Sequence, residues 1–218
     1  MVKSEESFKK LTQFFERFVL LHFKKGEAIL RPYDTPSGIF YLKSGFVRLY
    51  SISKKGEEFT LIIFKPGDIF PLRWAINDSS TGYYFDAAAP VSTWRVSKKE
   101  FIAFIEENPD VLLEVTSRVL TRLGGILQRM EYLVYGNADQ KIASIILLCA
   151  ERFGKEVDGK TRIEVSLTHK DLANFVGISR ETASIELKKF ERSGLIESKN
   201  KMIIVKNREL LEKEALLP

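Results

Sequence analysis

The chain has 218 residues, 44% of them hydrophobic and 29% charged, which is typical of a folded globular protein and excludes a disordered one. Its net charge of +5 is too small to identify a nucleic-acid partner by itself. The single cysteine, Cys149, excludes an internal disulfide and suits a reducing cytoplasm, where we expect the protein to reside. The start is too charged for a secretory signal, and no apolar stretch approaches the roughly 20 residues needed to cross a bilayer, so we expect no membrane insertion.

The first part of the chain predicts a short helix followed by a β-rich region. Apolar residues recur at helical spacing from Phe8 to Phe23, which predicts a cap helix that includes His22. Short apolar runs separated by glycine-containing turns then continue to about Val96, a pattern that indicates an antiparallel β-barrel or jelly roll. The clearest runs are residues 39–42, 46–50 and 59–64.

A long helix is predicted next. Asn108 is a favourable N-cap and Pro109 fits the first helical position, and the helix extends to about Tyr135. We predict that one apolar row pairs with the same helix of a second subunit, while a second row packs on the barrel of its own subunit. The alternative is a core helix inside a monomer. The first row is Leu112, Thr116, Val119, Leu123, Ile126, Met130 and Leu133, and the second row is Leu113, Leu120, Leu127 and Val134.

Two hairpins are expected in the last third of the chain. A helix over about 138–153 precedes the first hairpin, which turns at Asp158 and Gly159. The second hairpin covers residues 195–205 and has a polar, basic tip at residues 198–201, as in a wing.

Between these hairpins, two short helices joined by a tight turn are predicted. Thr168 and Asp171 form a capping box, Gly177 ends the first helix, and Ser179 caps the second. The positive charge is concentrated after this turn, because residues 180–208 hold eight Lys or Arg against four acids, whereas residues 139–179 hold six of each. The pattern indicates a helix-turn-helix that binds DNA, and its alternative is an ordinary helical hairpin.

The order of barrel, long helix and winged helix-turn-helix resembles the CRP/FNR superfamily of bacterial transcription regulators. Its strongest motif is the run Gly-Ile-Ser-Arg-Glu-Thr at residues 177–182, and the run Pro-Gly-Asp at 66–68, followed by Ile-Phe, fits the sensor domain. The resemblance implies an α+β fold with a cyclic-nucleotide-binding-like jelly roll at 1–107, a dimerisation helix at 108–137 and a winged helix-turn-helix at 138–218. It implies a homodimer that binds paired half-sites in double-stranded DNA, with RNA polymerase as a further partner.

By this resemblance, Arg180 would donate to a guanine and Glu181 would accept from a cytosine amine. Thr168, Ser179 and Thr182 match positions that hold phosphates. Ile185 departs from the family, which often has Arg there, and an apolar contact to a thymine methyl could replace the polar one. The predicted DNA-binding set is Thr168, His169, Ser179, Arg180, Glu181, Thr182, Ser184, Ile185, Lys188, Lys199 and Lys201.

The sensor departs further from members that bind cyclic AMP. Where those members place a ribose-binding carboxylate and a phosphate-binding amide, this chain has Leu72 and Pro71, and residues 81–87 include no basic side chain. In the long helix, Ile126 and Leu127 are apolar where polar groups would meet the adenine. These departures argue against cyclic AMP, although Arg73 leaves some cyclic nucleotide as an alternative.

Other sensing chemistries lack the residues they need. One cysteine cannot hold an iron–sulfur cluster. His22, in the predicted cap helix, and His169, in the helix pair, lie outside the predicted barrel, so we expect no cluster, no haem and no metal. A metal-dependent barrel enzyme would need a histidine cluster within the barrel, and the basic wing argues against a sensor that has lost DNA binding. We therefore expect a regulator with no catalytic residues.

The aromatic character of the sensor leads to a hypothesis about its input. A small organic or aromatic effector would be anchored by an arginine or by tyrosines, and the alternative is that the aromatic residues simply fill the barrel. Gly124 and Gly125 favour a ligand or a hinge, because each glycine within a helix costs up to about 1 kcal/mol relative to alanine. The predicted effector set is Phe70, Arg73, Trp74, Tyr83, Tyr84 and Ile126.

Overall fold

The structure is a computed structural model, and it describes residues 2–199 and 201–216. It consists of two compact units. The first unit comprises Met1–Ser51 and Leu61–Arg122, and the second comprises Ile52–Thr60 and Leu123–Pro218. The predicted domain limits near residues 107 and 137 stay a prediction, since compactness alone does not define a domain that folds independently.

Two four-stranded antiparallel sheets form the centre of the first unit. Their strand orders are β1-β8-β3-β6 and β2-β7-β4-β5, which is a jelly-roll arrangement, open at its edges. The predicted fold class is thereby confirmed. The elements are α1 (Val2–Phe15), β1 (Val19–Phe23), β2 (Ala28–Leu30), β3 (Ile39–Ser44), β4 (Val47–Ile52), β5 (Glu58–Phe64), β6 (Ile69–Phe70), α2 (Leu72–Asn77), β7 (Tyr84–Ala87), β8 (Val91–Val96) and α3 (Lys98–Glu107).

The predicted first helix is wrong in its second half. Helix α1 ends at Phe15, and Val19–Phe23 is strand β1, which pairs with β8. His22 therefore lies on a strand, where its Nδ1 is 2.9 Å from the Ser92 hydroxyl. Residues 18–21 are continuously apolar, a pattern that a helix segment and a strand share, so pairing with β8 decides the outcome.

Phenylalanine fills both apolar cores of the first unit. Beside α1, Phe14 stacks on Phe104 with ring centroids 3.8 Å apart. Within the jelly roll, four rings form what we call the phenylalanine cluster, with neighbouring centroids 5.1 to 5.9 Å apart. Burial of each such ring stabilises the fold by about 1.5–3 kcal/mol. The phenylalanine cluster comprises Phe40, Phe64, Phe70 and Phe85.

Helix α4 (Pro109–Tyr135) has the predicted limits but not the predicted faces. The row of Leu113, Leu120, Leu127 and Val134, expected to pack on the barrel, is 53–71% exposed, so that prediction is wrong. The side chains that α4 buries lie on the opposite face and include Val111, Val115, Arg129 and Tyr132. Arginine occupies an inward position here, which an apolar pattern cannot indicate.

Seven of the exposed residues of α4 form a mostly apolar stripe with alternating spacings of three and four residues. This spacing is the heptad pattern of a coiled-coil seam, shifted by one position from the predicted row at 112, 119, 126 and 133. In the predicted row, Ile126 and Leu133 are half-buried, whereas Leu112 and Val119 are 41% and 40% exposed, and its remaining three members belong to the stripe. We call the exposed set the α4 stripe: Leu113, Thr116, Leu120, Leu123, Leu127, Met130 and Val134.

The second unit combines helices with one four-stranded sheet in the order β11-β12-β10-β9. The helix after α4, both hairpins and the two short helices are confirmed, while the last helix was not predicted. No helix within residues 2–199 and 201–216 is long and apolar enough to cross a membrane. The elements are α5 (Ala138–Phe153), β9 (Gly154–Val157), β10 (Lys160–Ile163), α6 (His169–Val176), α7 (Arg180–Arg192), β11 (Ile196–Lys199), β12 (Met202–Val205) and α8 (Arg208–Glu214).

Cys149 lies on the buried face of α5 and is 1% exposed. Burial raises the pKa of its thiol to about 12, so the thiolate needed for oxidation or metal binding does not form at neutral pH. The cysteine is a packing residue, as expected.

Candidate nucleic-acid interface

Helix α6 begins with the predicted capping box. The Thr168 hydroxyl accepts a hydrogen bond from the Asp171 amide at 3.1 Å, and the Asp171 carboxylate accepts one from the Thr168 amide at 2.7 Å. Two amides that the helix start leaves unpaired are thereby satisfied. The Thr168 hydroxyl also lies 2.6 Å from the Asp171 carboxylate, so the cap fixes the orientation of that carboxylate.

The turn between α6 and α7 depends on Gly177, which has φ +66°. The Ile178 amide donates to the Ala173 carbonyl at 3.2 Å, and Ser179 then caps α7 by accepting from the Thr182 amide at 3.0 Å. Small side chains at the contact between the helices, Ala173 and Ala183, are at most 2% exposed. The turn thus sets the direction in which α7 begins.

Replacement of Gly177 tests how much this turn contributes to stability. A Cβ at this position would meet Phe59 Cε2 at an ordinary 3.9 Å, so the cost comes from the backbone conformation alone. We expect Gly177→Ala to lower the free energy of unfolding by about 1–2 kcal/mol, measured by urea denaturation. Gly177→Asn is the control, since Asn tolerates positive φ and loses less. Equal stability of all three proteins would contradict this role for the turn.

One face of α7 is exposed and carries the predicted readout residues. Arg180, Glu181, Ile185 and Lys188 are exposed, and Ser184 is half-exposed between them. The opposite face, which includes Ala183, Leu187 and Phe190, is buried at 0–3% exposure. The side chains on the exposed face follow one another over about two turns of helix, the length that enters a major groove.

A groove of about 460 Å³ lies between α7, α6 and the wing. The Leu167 amide donates to the Lys201 carbonyl at 2.9 Å, which fixes the wing beside the start of α6. Lys201 itself has φ +63°, as expected at the tip of a tight hairpin. Asn200, which precedes Lys201 in this turn, lies outside the described residues. The groove is lined by Leu167, Thr168, His169, Lys170, Arg180, Leu187, Ser198, Lys201 and Ile203.

The structure therefore brings part of the predicted DNA-binding set together. Thr168, His169, Arg180 and Lys201 line one groove. Lys170 and Ser198 also line it but are absent from the predicted set, although each directly follows or precedes a predicted residue. Among the predicted residues outside this lining are Ser179 and Thr182, whose hydroxyls lie 2.9 Å apart within the α7 cap, and Lys199, which is exposed on the wing.

The residues predicted to bind an effector lie in different surroundings. Phe70 is 1% exposed and belongs to the phenylalanine cluster, while Arg73 is exposed on α2. Trp74, on the same helix, is half-buried, with the Lys98 ammonium 5.4 Å from its ring centroid. Tyr83 packs against the wider core that includes the phenylalanine cluster, and Tyr84 stacks on the ring of a tyrosine on β4.

Two further observations bear on the sensor. Ile126 belongs to the second compact unit, whereas the other five residues of the predicted effector set belong to the first. Within the first unit, the Arg122 guanidinium lies 2.7 Å from the Asp68 carboxylate and 4.8 Å from the Phe64 ring centroid. This buried ion pair was not predicted, because residues 54 positions apart in sequence form it.

Comparison with known proteins gives a family match in the N-terminal and in the C-terminal part of the chain. Residues 20–108 match the family model of the cyclic nucleotide-binding domain, and residues 140–214 match that of the Crp-like helix-turn-helix domain. The chain is 26% identical over 176 residues to the nitrogen fixation regulation protein FixK of Bradyrhizobium diazoefficiens, an alignment that covers 81% of this chain and 73% of FixK. It is 27% identical over 197 residues to the CRP-like cAMP-activated global transcriptional regulator of Mycobacterium tuberculosis, with 88% and 86% covered.

Solved structures share the fold. FixK2 from Bradyrhizobium japonicum has a TM-score of 0.77 at 19% identity, and the match covers 92% of this chain and 98% of FixK2. A CRP/FNR-family transcriptional regulator from Thermus thermophilus has a TM-score of 0.72 at 24% identity, with 90% and 98% covered. At these identities the likeness concerns the fold alone.

Proposed function

Because the chain belongs to the CRP/FNR family of transcription regulators, we propose that it is a homodimeric, sequence-specific DNA-binding regulator of transcription. Its relatives are regulators, and the protein is not an enzyme. The observation that carries the proposal is the groove between α6, α7 and the wing, which Thr168, His169, Arg180 and Lys201 line. Hydroxyl, imidazole and cationic side chains of this kind bind the phosphate oxygens of DNA, and a helix start beside them favours a negative charge.

Within this proposal, phosphate contacts and base contacts come from different side chains. Lys199 and Lys201 on the wing, with His169 at the start of α6, hold phosphates and fix the register on the duplex. Arg180 donates to the O6 and N7 of a guanine, and Glu181 accepts from the amine of a cytosine. Ser184, Ile185 and Lys188 lie further along the same exposed face of α7, where they contact the adjoining part of the half-site.

Salt dependence tests the phosphate contacts. We expect the full chain to bind sheared bacterial genomic DNA at about 0.15 M salt, with an affinity that falls steeply as salt increases. Lys199→Ala and Lys201→Ala should each reduce the slope of log affinity against log salt by about 1. Lys155→Ala, which removes an exposed lysine on β9, should leave the slope unchanged. A wild-type chain that binds no DNA fragment would contradict the proposal.

We expect Ile185 to contact a thymine in each half-site. It is 56% exposed on a face that is otherwise polar, and the thymine methyl is the apolar group that a major groove offers. We expect that replacing this thymine by uracil, which lacks the methyl, weakens binding about fourfold per half-site, since one buried methyl is worth about 0.8 kcal/mol. Ile185→Ala should bind the two duplexes equally well. Wild-type protein that does not distinguish uracil from thymine at any position would contradict the assignment.

The α4 stripe is the surface by which two copies pair. Its seven residues are apolar or threonine, they follow a heptad pattern, and all of them are exposed in the single chain. Leaving such a stripe in water is unfavourable, and a second copy of the same helix would cover it by knobs-into-holes packing. A homodimer also explains how one α7 per chain reads paired half-sites, about 34–36 Å apart along the duplex. RNA polymerase would be a further partner at the promoter.

For the input signal we propose that the regulator binds DNA without a small-molecule effector. The phenylalanine cluster, with Phe40 and Phe70 at most 2% exposed, occupies the jelly-roll interior with the protein's own side chains. The competing proposal is a small organic effector other than a cyclic nucleotide, held by Arg73, Tyr83 or Tyr84 of the predicted effector set. Native mass spectrometry and DNA binding by the same sample separate the two. An unliganded mass with tight DNA binding supports the first, and binding that requires cyclic AMP or a copurified molecule contradicts it.

A further inference from the structure

The end of the hairpin between β4 and β5 packs within the DNA-binding unit against one buried arginine. This end, residues Ile52–Thr60, belongs to the second compact unit and is called here the hairpin tip. Arg129 on α4 is 4% exposed, and its Nη1 donates to the Thr60 carbonyl at 3.1 Å. The guanidinium also lies 5.4 Å from the ring centroid of Phe59 and 5.7 Å from that of Phe175 on α6.

A second pair of contacts joins the hairpin tip to α6. The Asn174 side-chain amide donates to the Glu58 carboxylate at 3.2 Å. A Cβ on Gly177, the residue that ends α6, would lie 3.9 Å from Phe59 Cε2, so this ring also adjoins the turn before α7. The hairpin tip therefore contacts α6 at its last residues, close to where the direction of α7 is set.

A charged side chain in this position needs an explanation. Burial disfavours the guanidinium and lowers the pKa of Arg129, and an aliphatic residue would pack between two phenylalanine rings without that penalty. A guanidinium has two faces that attract ring faces and a fork of N–H donors at its edge. Arg129 uses these properties together, since it contacts a ring on each element and a backbone carbonyl of the hairpin tip. An aliphatic residue would lack the directional bond.

We infer that Arg129 is a positioning residue for DNA recognition: it holds α6 against the hairpin tip and so fixes the angle at which α7 enters the major groove. The inference rests on the proposed DNA-binding function. The connection to α7 runs through Ala173, whose carbonyl accepts from the Ile178 amide and whose side chain is 2% exposed at the helix contact. A shift of α6 therefore moves Arg180 and Glu181 at the start of α7.

The test compares DNA affinity with folding for variants of both partners. We expect Arg129→Met and Phe59→Ala each to weaken binding to a specific duplex about tenfold or more, at a temperature where near-ultraviolet circular dichroism shows every variant folded. The double variant should lose little more than either single variant, because both changes break the same contact. Phe59→Tyr, which retains the ring face, should bind like wild type. Lys55→Ala, at an exposed position of the same hairpin tip, is the matched control and should bind like wild type.

The outcomes separate this inference from the proposed function. If wild type binds the duplex and Arg180→Ala does not, but folded Arg129→Met and Phe59→Ala retain full affinity, Arg129 has only a structural role and the inference is overturned. Additive losses in the double variant would also overturn it. If wild type itself binds no duplex, the proposed function fails instead.

Discussion

Replacing Arg180 by alanine is expected to weaken specific DNA binding strongly. Arg180 is exposed at the first position of α7 and lines the groove that His169 and Lys201 also line. A bidentate contact from arginine to guanine contributes about 1–3 kcal/mol of discrimination, and a dimer loses two of them. Affinity for a specific duplex should therefore fall by about 30-fold or more, measured by fluorescence anisotropy, while affinity for unrelated DNA changes much less.

The control must separate lost readout from lost charge. Arg31→Ala removes an arginine that is also exposed, from the first unit, and should bind like wild type. Arg180→Lys retains the charge without the planar fork, so it should keep nonspecific affinity but lose preference for the specific duplex. Specific binding that survives in Arg180→Ala would remove α7 from the recognition surface and refute the assignment of the groove.

Introducing a charge into the α4 stripe is expected to separate the subunits. Leu120 and Leu127 are 59% and 53% exposed in the single chain, and they flank Leu123, the middle residue of the α4 stripe. Leu120→Glu places two like charges opposite each other in a desolvated contact, which destabilises a coiled coil strongly. We expect sedimentation at low micromolar concentration to give the mass of one chain instead of two. DNA affinity should fall about 100-fold or more with the loss of the second half-site.

Two matched variants locate the seam. Thr121→Glu adds the same charge one residue away, at an exposed position outside the stripe, and should remain a dimer. Val119→Glu lies in the row predicted from sequence, is 40% exposed, and should have a smaller effect than Leu120→Glu. A monomeric wild type, or a Leu120→Glu variant that stays dimeric, would contradict pairing through this face.

The DNA-binding end of the molecule was predictable because its signals are local. A capping box at Thr168, a glycine with positive φ at 177 and a serine cap at 179 are each written within a few residues, and the structure has all three. The wing follows the same logic, since its hairpin turn is short. Only their joint groove, with Lys170 and Ser198, required the tertiary structure.

The remainder depended on pairings that are distant in sequence. Strand β1 exists because β8 offers it an edge about 70 residues later, so its helical spacing was misleading. On α4, Arg129 is buried by contacts with Thr60 and two phenylalanine rings, and no apolar pattern predicts an inward arginine. Because Arg129 and the other buried residues of α4 occupy its inward face, the leucine row that we predicted for that face is exposed. Phe70 of the predicted effector set likewise has ring partners in the core that are distant in sequence.

Selection of binding sites from a library of random duplexes tests the central claim most directly. The full chain at about 0.15 M salt should enrich a two-fold symmetric sequence whose half-sites are about 10–10.5 base pairs apart, centre to centre. Each half-site should contain a G·C pair, read by Arg180 and Glu181, and a thymine, read by Ile185. No enrichment, or enrichment of one unpaired half-site by wild-type protein, would contradict the account of a dimeric, sequence-specific regulator.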